Sequence, residues 1–126
     1  MHIHTNVDPS PSAIPGIHHA TLAGSAQGLK QLSIWDQVLE PGAATPPHRH
    51  DCDEVLLCSS GRGVFRLEGH EPQFFGANTT VCIPRNVLHE VANAGEGPLR
   101  IVAIFGSAPV APHLPDGTPL DLPWSS

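Results

Sequence analysis

A chain of 126 residues has the length of one domain, and 40 % apolar against 14 % charged residues places it with soluble globular proteins. Fourteen prolines and twelve glycines are too many for a helical bundle. Six Lys and Arg stand against twelve Asp and Glu, a formal net charge of -6, which argues against nucleic-acid and membrane partners because anionic phosphates need a basic patch.

In chain order, residues 1–16 carry three prolines and read as an N-terminal arm. They hold neither a basic n-region nor an apolar h-region, and no apolar run approaches the ~20 residues of a membrane span, so a cytoplasmic protein is the expectation. His18 to Leu22 reads as a short strand and Gly24 to Gly28 as a loop. Leu29 to Glu40, LKQLSIWDQVLE, alternates Leu32, Ile34, Asp36 and Val38 against Ser33, Trp35, Gln37 and Leu39. Neither set is cleanly polar, as expected when one side of a strand lines an interior and the other packs on something. The β-branched and aromatic content, with Pro41-Gly42 following, favours strand over helix.

Pro46 to His50 and Glu54 to Ser59 follow, then a turn at Gly61 to Gly63, Val64 to Glu68, a turn at Gly69 to Pro72, and Gln73 to Phe75. A turn at Gly76 to Asn78 leads to Thr79 to Ile83, Pro84 to Val87, Leu88 to Ala92, a turn at Asn93 to Pro98, and Leu99 to Gly106. Strands punctuated this often predict an all-β sandwich or barrel. Residues 17–107 form the expected barrel. Residues 108–126 form a proline-rich C-terminal arm that Leu114, Leu120, Leu122 and Trp124 should dock. Sheet edges and two anchored arms predict a homodimer with the arms at or near its interface. Cys52, Cys58 and Cys82 are an odd count at no zinc-knuckle spacing, so they are expected as small buried residues, not disulfides.

The stretch PGAATPPHRHDCDEVLLCSSG, Pro41 to Gly61, concentrates the chemistry. In a strand, residues two apart share a face, so His48 and His50 point one way and Arg49 the other. If Asp51 to Asp53 turn, Glu54 on the returning strand can join the two imidazoles.

Gly42, His48, His50, Glu54 and Gly61, at this spacing, resemble the first motif of the cupin superfamily. Gly76, Pro84, Asn86, His89 and Asn93 resemble the second. Two departures occur: seven residues separate Gly76 from Pro84 where five are usual, and Asn86 stands where the motif has glycine. Asn tolerates positive φ better than other non-glycine residues, so the turn should survive. The resemblance implies a double-stranded β-helix, or jelly roll, holding one divalent transition metal ion (Fe, Ni, Cu, Mn, Co or Zn) through His48, His50, Glu54 and His89. Neutral imidazoles and one carboxylate suit such ions and leave coordination positions open, which catalysis needs.

Other histidines carry less. His18 and His19 are adjacent, so at most one can face the interior; His2 and His4 lie at a chain end, His70 in a turn and His113 in the tail. Cys52 falls in the predicted turn, and a Cys82–His89 nucleophile pair lacks an oxyanion hole. Leu56 and Cys58 should share the face of Glu54, with Val87 and Val91 on that of His89, making an apolar cavity. Lys30 is the single lysine, Arg49 points away, Arg62 and Arg85 fall in turns, and Arg66 and Arg100 are the remaining strand cations. A phosphosugar therefore fits poorly. The expected function is a metal-dependent dioxygenase acting on a small apolar or aromatic enol, diketone or phenol, with Glu54 as catalytic base. The alternatives are a non-catalytic small-molecule or metal-binding sensor module, or a cupin isomerase.

Overall fold

Turns and corners divide the computed structural model, which describes residues 2–126, into eleven strands. These are β1 (Ser10–Pro11), β2 (Ile17–Ala23), β3 (Ser33–Leu39), β4 (Arg49–His50), β5 (Glu54–Ser60), β6 (Arg62–Leu67), β7 (Gln73–Gly76), β8 (Thr79–Ile83), β9 (His89–Asn93), β10 (Leu99–Phe105) and β11 (Pro112–His113). One sheet has the order β1-β2-β3-β10-β5-β8, a second β7-β6-β9, and β11 pairs β4. Bridges from Ala44 to Ala92 and from His48 to His89 tie the segment before β4 to β9, which extends the second sheet. The result is an all-β jelly roll.

Alternation builds the core. In β3 the residues Ser33, Trp35, Gln37 and Leu39 are buried while Ile34, Asp36 and Val38 are half-buried. The antiparallel register sets Trp35 beside Ala103, Gln37 beside Ile101 and Leu39 beside Leu99, and places Leu56 on the other side of Ala103. Leu39, Leu56, Leu99, Ile101 and Phe105 are essentially sealed from solvent. Each such side chain contributes about 1.5–3 kcal/mol through burial. On the outward face, Arg100 pairs with Asp36 at 2.7 Å.

Corners are made where the backbone demands them. At Gly61 the chain leaves one sheet for the other with φ of 91°, and a Cβ there would lie 2.4 Å from the Pro98 carbonyl oxygen. Asn86 takes φ of 64°, the positive value its place in the motif requires, and its N–H donates to the His50 carbonyl at 2.6 Å.

Several local expectations change. The strand expected from Leu29 begins at Ser33, because Ser25–Gln27 forms a 3₁₀ turn and the Lys30 carbonyl is taken by the Ala108 N–H at 3.1 Å. The strand expected over Pro46 to His50 contracts to Arg49–His50, as two prolines without N–H groups cannot continue a ladder. Arg62 starts β6 and is not part of a turn. Val87 sits in the connection before β9, so it does not share the face of His89. Of the cysteines, Cys58 alone is buried: Cys82 lies opposite Val55 on the outward face and is exposed, and Cys52 is half-buried.

Candidate metal centre

His48 and His50 come from the edge of β4, Glu54 opens β5 one turn later and His89 opens β9, so two neighbouring segments and one distant in sequence meet at one end of the barrel. The backbone of His48 donates to the His89 carbonyl at 3.0 Å and accepts from the His89 N–H at 2.9 Å. The three rings lie 4.4, 4.8 and 5.2 Å apart between centroids. Their ligand nitrogens fall within 4.8 Å of one another, a group that could hold a metal ion.

Backbone carbonyls orient two of the rings. The Nδ1–H of His48 donates to the Pro46 carbonyl at 2.6 Å and that of His89 to the Val87 carbonyl at 2.9 Å. This tautomer leaves the Nε2 lone pair of each ring for a cation, the arrangement that metal-binding histidines use. Glu54 Oε1 lies 3.4 Å from His50 Nδ1 and 3.3 Å from His89 Nε2. It is buried and has no aligned hydrogen-bond partner.

Burial pushes His48 down to about 4, helped by the neighbouring His89. Burial again, with His48, His89 and His113 nearby, takes His50 down to about 2. Glu54 is pushed up by burial, against the contact with His89. All three shifts disfavour charge in a sealed space. A buried carboxyl with an orphaned oxygen, beside imidazoles whose Nε2 lone pairs are free, is a donor set that fits a divalent transition metal ion. Arg49 lies on the opposite side of β4 and does not line the cavity.

Above this group is a small cavity. Its polar wall is the histidines, Glu54, Gln37 and Thr45, and its apolar wall includes Trp35, Leu56, Val91, Ile101 and Phe105. Leu120, Leu122 and Trp124 of the tail close it. No Lys or Arg lines it. Cys58 and Val87, expected at the cavity, are absent from its wall. Gln37 and Thr45 were not singled out from the sequence as site residues. Alternation in β3 put Gln37 on one face but could not say which face was inner, and Thr45 lies outside any strand, between β3 and β4.

The remaining histidines disperse. His19 is buried in the core beside Trp35 and Trp124, outside the cavity wall. His18 faces outward and meets Glu40 at 2.9 Å. His113 lies in β11 opposite Arg49. His4 reaches the Leu22 carbonyl at 2.6 Å. Arg66 pairs with Glu90 at 3.3 Å on the outside, and Arg62 lies over the Phe74 ring at 4.8 Å.

Comparison with known proteins gives the geometry its relatives. A family model described as auxin binding protein matches residues 4–118. Auxin-binding protein 1 of Arabidopsis thaliana is 38% identical over 105 residues, covering 76% of this chain and 53% of that protein. Auxin-binding protein T85 of Nicotiana tabacum is 37% identical over 106 residues, covering 75% of this chain and 57% of that one. The chain thus spans about half the length of the curated relatives it matches. Among solved structures, a cupin-like protein from Thermotoga maritima superposes with a TM-score of 0.70 at 26% identity, over 84% of this chain and 80% of that one.

Proposed function

The chain belongs to the auxin-binding protein family within the cupin superfamily, and from that premise we propose that it is a metal-dependent binding protein for a small aromatic carboxylic acid of the auxin kind. The observation that carries this reading is the pairing of an otherwise apolar cavity with a single cluster of ligand nitrogens and one carboxyl. An organic anion entering that space meets no Lys or Arg. Its charge needs a partner there, because an unpaired buried carboxylate costs several kcal/mol.

His48, His50, His89 and Glu54 would hold the ion, which supplies positive charge and open coordination positions when bound. The chain's own residues do the rest. Gln37 reaches the cavity while its amide N–H is held by His19 Nδ1 at 3.0 Å, which leaves the side chain fixed in place. Trp35 and Phe105, with ring centroids 4.3 Å apart, give the ring of the acid an aromatic wall. The Thr45 hydroxyl accepts from the Val91 N–H at 3.0 Å and keeps its own proton for a ligand oxygen.

Isothermal titration of 1-naphthylacetic acid into protein purified without a nickel column, with metal analysis of the same sample, tests the reading. Binding that disappears on chelation and returns with a divalent ion is expected. Binding indifferent to chelation, or a neutral amide binding as well as the acid, would overturn it.

A second reading, a metal-dependent dioxygenase acting on an enol, diketone or phenol, is favoured by one feature. The Glu54 carboxyl sits against two ligand imidazoles with an oxygen free to take a proton. Oxygen uptake over flavonols, 1,3-diketones and hydroxyaryl ketones separates the readings: consumption supports the enzyme, and its absence with tight acid binding supports the receptor. An isomerase of phosphorylated sugars finds no support, since no cation lines the cavity.

Assembly and placement complete the proposal. Ile3 and Val7 of the N-terminal arm are 85% and 66% exposed, which suits burial against a second copy, so a homodimer is proposed. Light scattering at micromolar concentration tests it, and a monomer would refute it. Cys52, Cys58 and Cys82, all unpaired, suit a reducing compartment such as the cytoplasm.

A further inference from the structure

A carboxamide carries an acceptor at one end and two donors at the other, so the way Gln37 is turned decides what the cavity can hold. Gln37 lines that cavity and is 5% exposed. Its Nε2 lies 3.0 Å from His19 Nδ1, and its Oε1 has no hydrogen-bond partner among the described residues. The two ends are nearly equal in size, so packing does not choose between them. Hydrogen bonding does.

The choice is made on the far side of His19. A backbone carbonyl only accepts, so the Thr21 hydroxyl, 2.6 Å from the Ser125 carbonyl, commits its single proton there. Its oxygen then accepts from His19 Nε2, 2.7 Å away, which places the imidazole proton on Nε2. Burial lowers His19 to about 4, against the attraction of Asp36, so near pH 7 the ring carries that one proton. Nδ1 is left as a lone pair, which the nitrogen end of Gln37 can face and the oxygen end cannot. The ring has little freedom to turn over, because Trp124 stacks on it with centroids 3.9 Å apart and Trp35 meets it edge-on at 5.3 Å.

Three hydrogen bonds of one direction thus run from Gln37 through His19 and Thr21 to Ser125. From this relay and the unpartnered oxygen, we infer that His19 and Thr21 are positioning residues that keep Gln37 Oε1 available to the cavity, which therefore selects a ligand carrying a hydrogen-bond donor besides its acid group. An acid with a ring N–H satisfies that oxygen, whereas an acid without a donor leaves a buried acceptor unpaired. With the opposite tautomer the amide would turn round and offer the cavity two N–H donors and no acceptor. This inference rests on the small-acid reading of the cavity proposed above.

The tautomer is read without any ligand. In zinc-loaded, nitrogen-15-labelled protein, ring spectra distinguish a protonated imidazole nitrogen from a bare one, and His19→Gln identifies the His19 signals by their loss. A proton on Nε2, a bare Nδ1 and a coupling across the hydrogen bond from Gln37 Nε2 to Nδ1 are expected. Thr21→Val keeps the shape of the side chain without its hydroxyl, so the proton should move to Nδ1 and the coupling vanish. Thr21→Ser should restore both. A proton on Nδ1 in the unsubstituted protein, or a tautomer indifferent to Thr21→Val, would overturn the relay.

Isothermal titration then compares indole-3-acetic acid with benzofuran-3-acetic acid, in which a ring oxygen replaces the N–H at nearly equal size. The indole should bind about tenfold more tightly to the unsubstituted protein and to Thr21→Ser, and the two acids should bind alike to Thr21→Val. Equal affinities in the unsubstituted protein, or a preference that survives Thr21→Val, would overturn the selection. If neither acid binds, the selection falls with the function proposed above, while the tautomer still decides the relay.

Discussion

His48 and His89 exchange both backbone hydrogen bonds, at 3.0 and 2.9 Å, and so act as one rigid pair although they come from different motifs. Their ring separation is set by the antiparallel ladder, not by side-chain freedom, and a directly opposed pair of this kind holds its Cβ atoms about 4.5–5.5 Å apart. A cation site built on such a pair is organised before any ion arrives.

That organisation predicts an asymmetry between neighbours. His50 faces the cluster and Arg49 the opposite side of the same short strand. His50→Ala should abolish metal content, and Arg49→Ala should leave it near that of the unsubstituted protein, with both followed by elemental analysis. Equal loss in the two variants would mean that the ion does not sit among these imidazoles.

Glu54 separates binding from chemistry. Three imidazoles can retain a divalent ion without it, and Glu54→Gln keeps volume and one oxygen while removing charge and basicity. The expected result is substantial metal content with any oxygen uptake lost. Metal and oxygen uptake are measured on one preparation. A metal-loaded variant that still consumes oxygen at the full rate refutes the base role.

The turn before β9 makes a conformational prediction. Asn86 holds φ of 64° and donates to the His50 carbonyl at 2.6 Å. Asn86→Gly should be close to neutral in stability, because glycine enters this region freely. Asn86→Ala should cost about 1–2 kcal/mol, the penalty of the left-handed region for a residue with a Cβ. Urea unfolding of the metal-free proteins measures both, and equal stability of the two variants would contradict the strain argument.

His19 should make stability depend on pH with a definite sign. Burial lowers it from 6.5 to about 4, against the attraction of Asp36. Between those values the unfolded chain binds the proton and the folded chain does not, so stability falls as pH drops through that window and levels below it. Relative to His19→Gln, the protein should lose about 2 kcal/mol between pH 7 and pH 4, after discounting for solvent screening. Taking the difference removes the titrations of the metal-site groups, which both proteins share. A difference that stays constant with pH would show that His19 is not buried neutral.

Much of the site was legible because its signals are local. Strand alternation predicted that His48 and His50 share a face with Arg49 opposed, and the short return to Glu54 allowed it to join them, whereas His89 entered the candidate group only through the resemblance to the second cupin motif. The tolerance of Asn for positive φ predicted the turn at Asn86. The family resemblance and the all-β class followed from motif spacing and turn frequency. The strand starting at Leu29, the face of Val87 and the burial of Cys82 were misread. In each case a distant hydrogen bond, a chain corner or sheet register overrode the local pattern.

What the tertiary structure alone decided has one physical origin, contact between segments far apart in the chain. Both faces of β3 carry apolar side chains, so alternation could not say that Trp35 and Gln37 look inward; pairing with β10 and closure of the second sheet decided it. The tail could be expected to dock, because its leucines and tryptophan lose free energy by leaving water. Only packing of Trp124 on His19, from opposite ends of the chain, made that tail the wall of the cavity and set the room within it at about 50 Å³. Periodicity fixes which residues can share a face, but the volume left between faces depends on how every segment around it is seated.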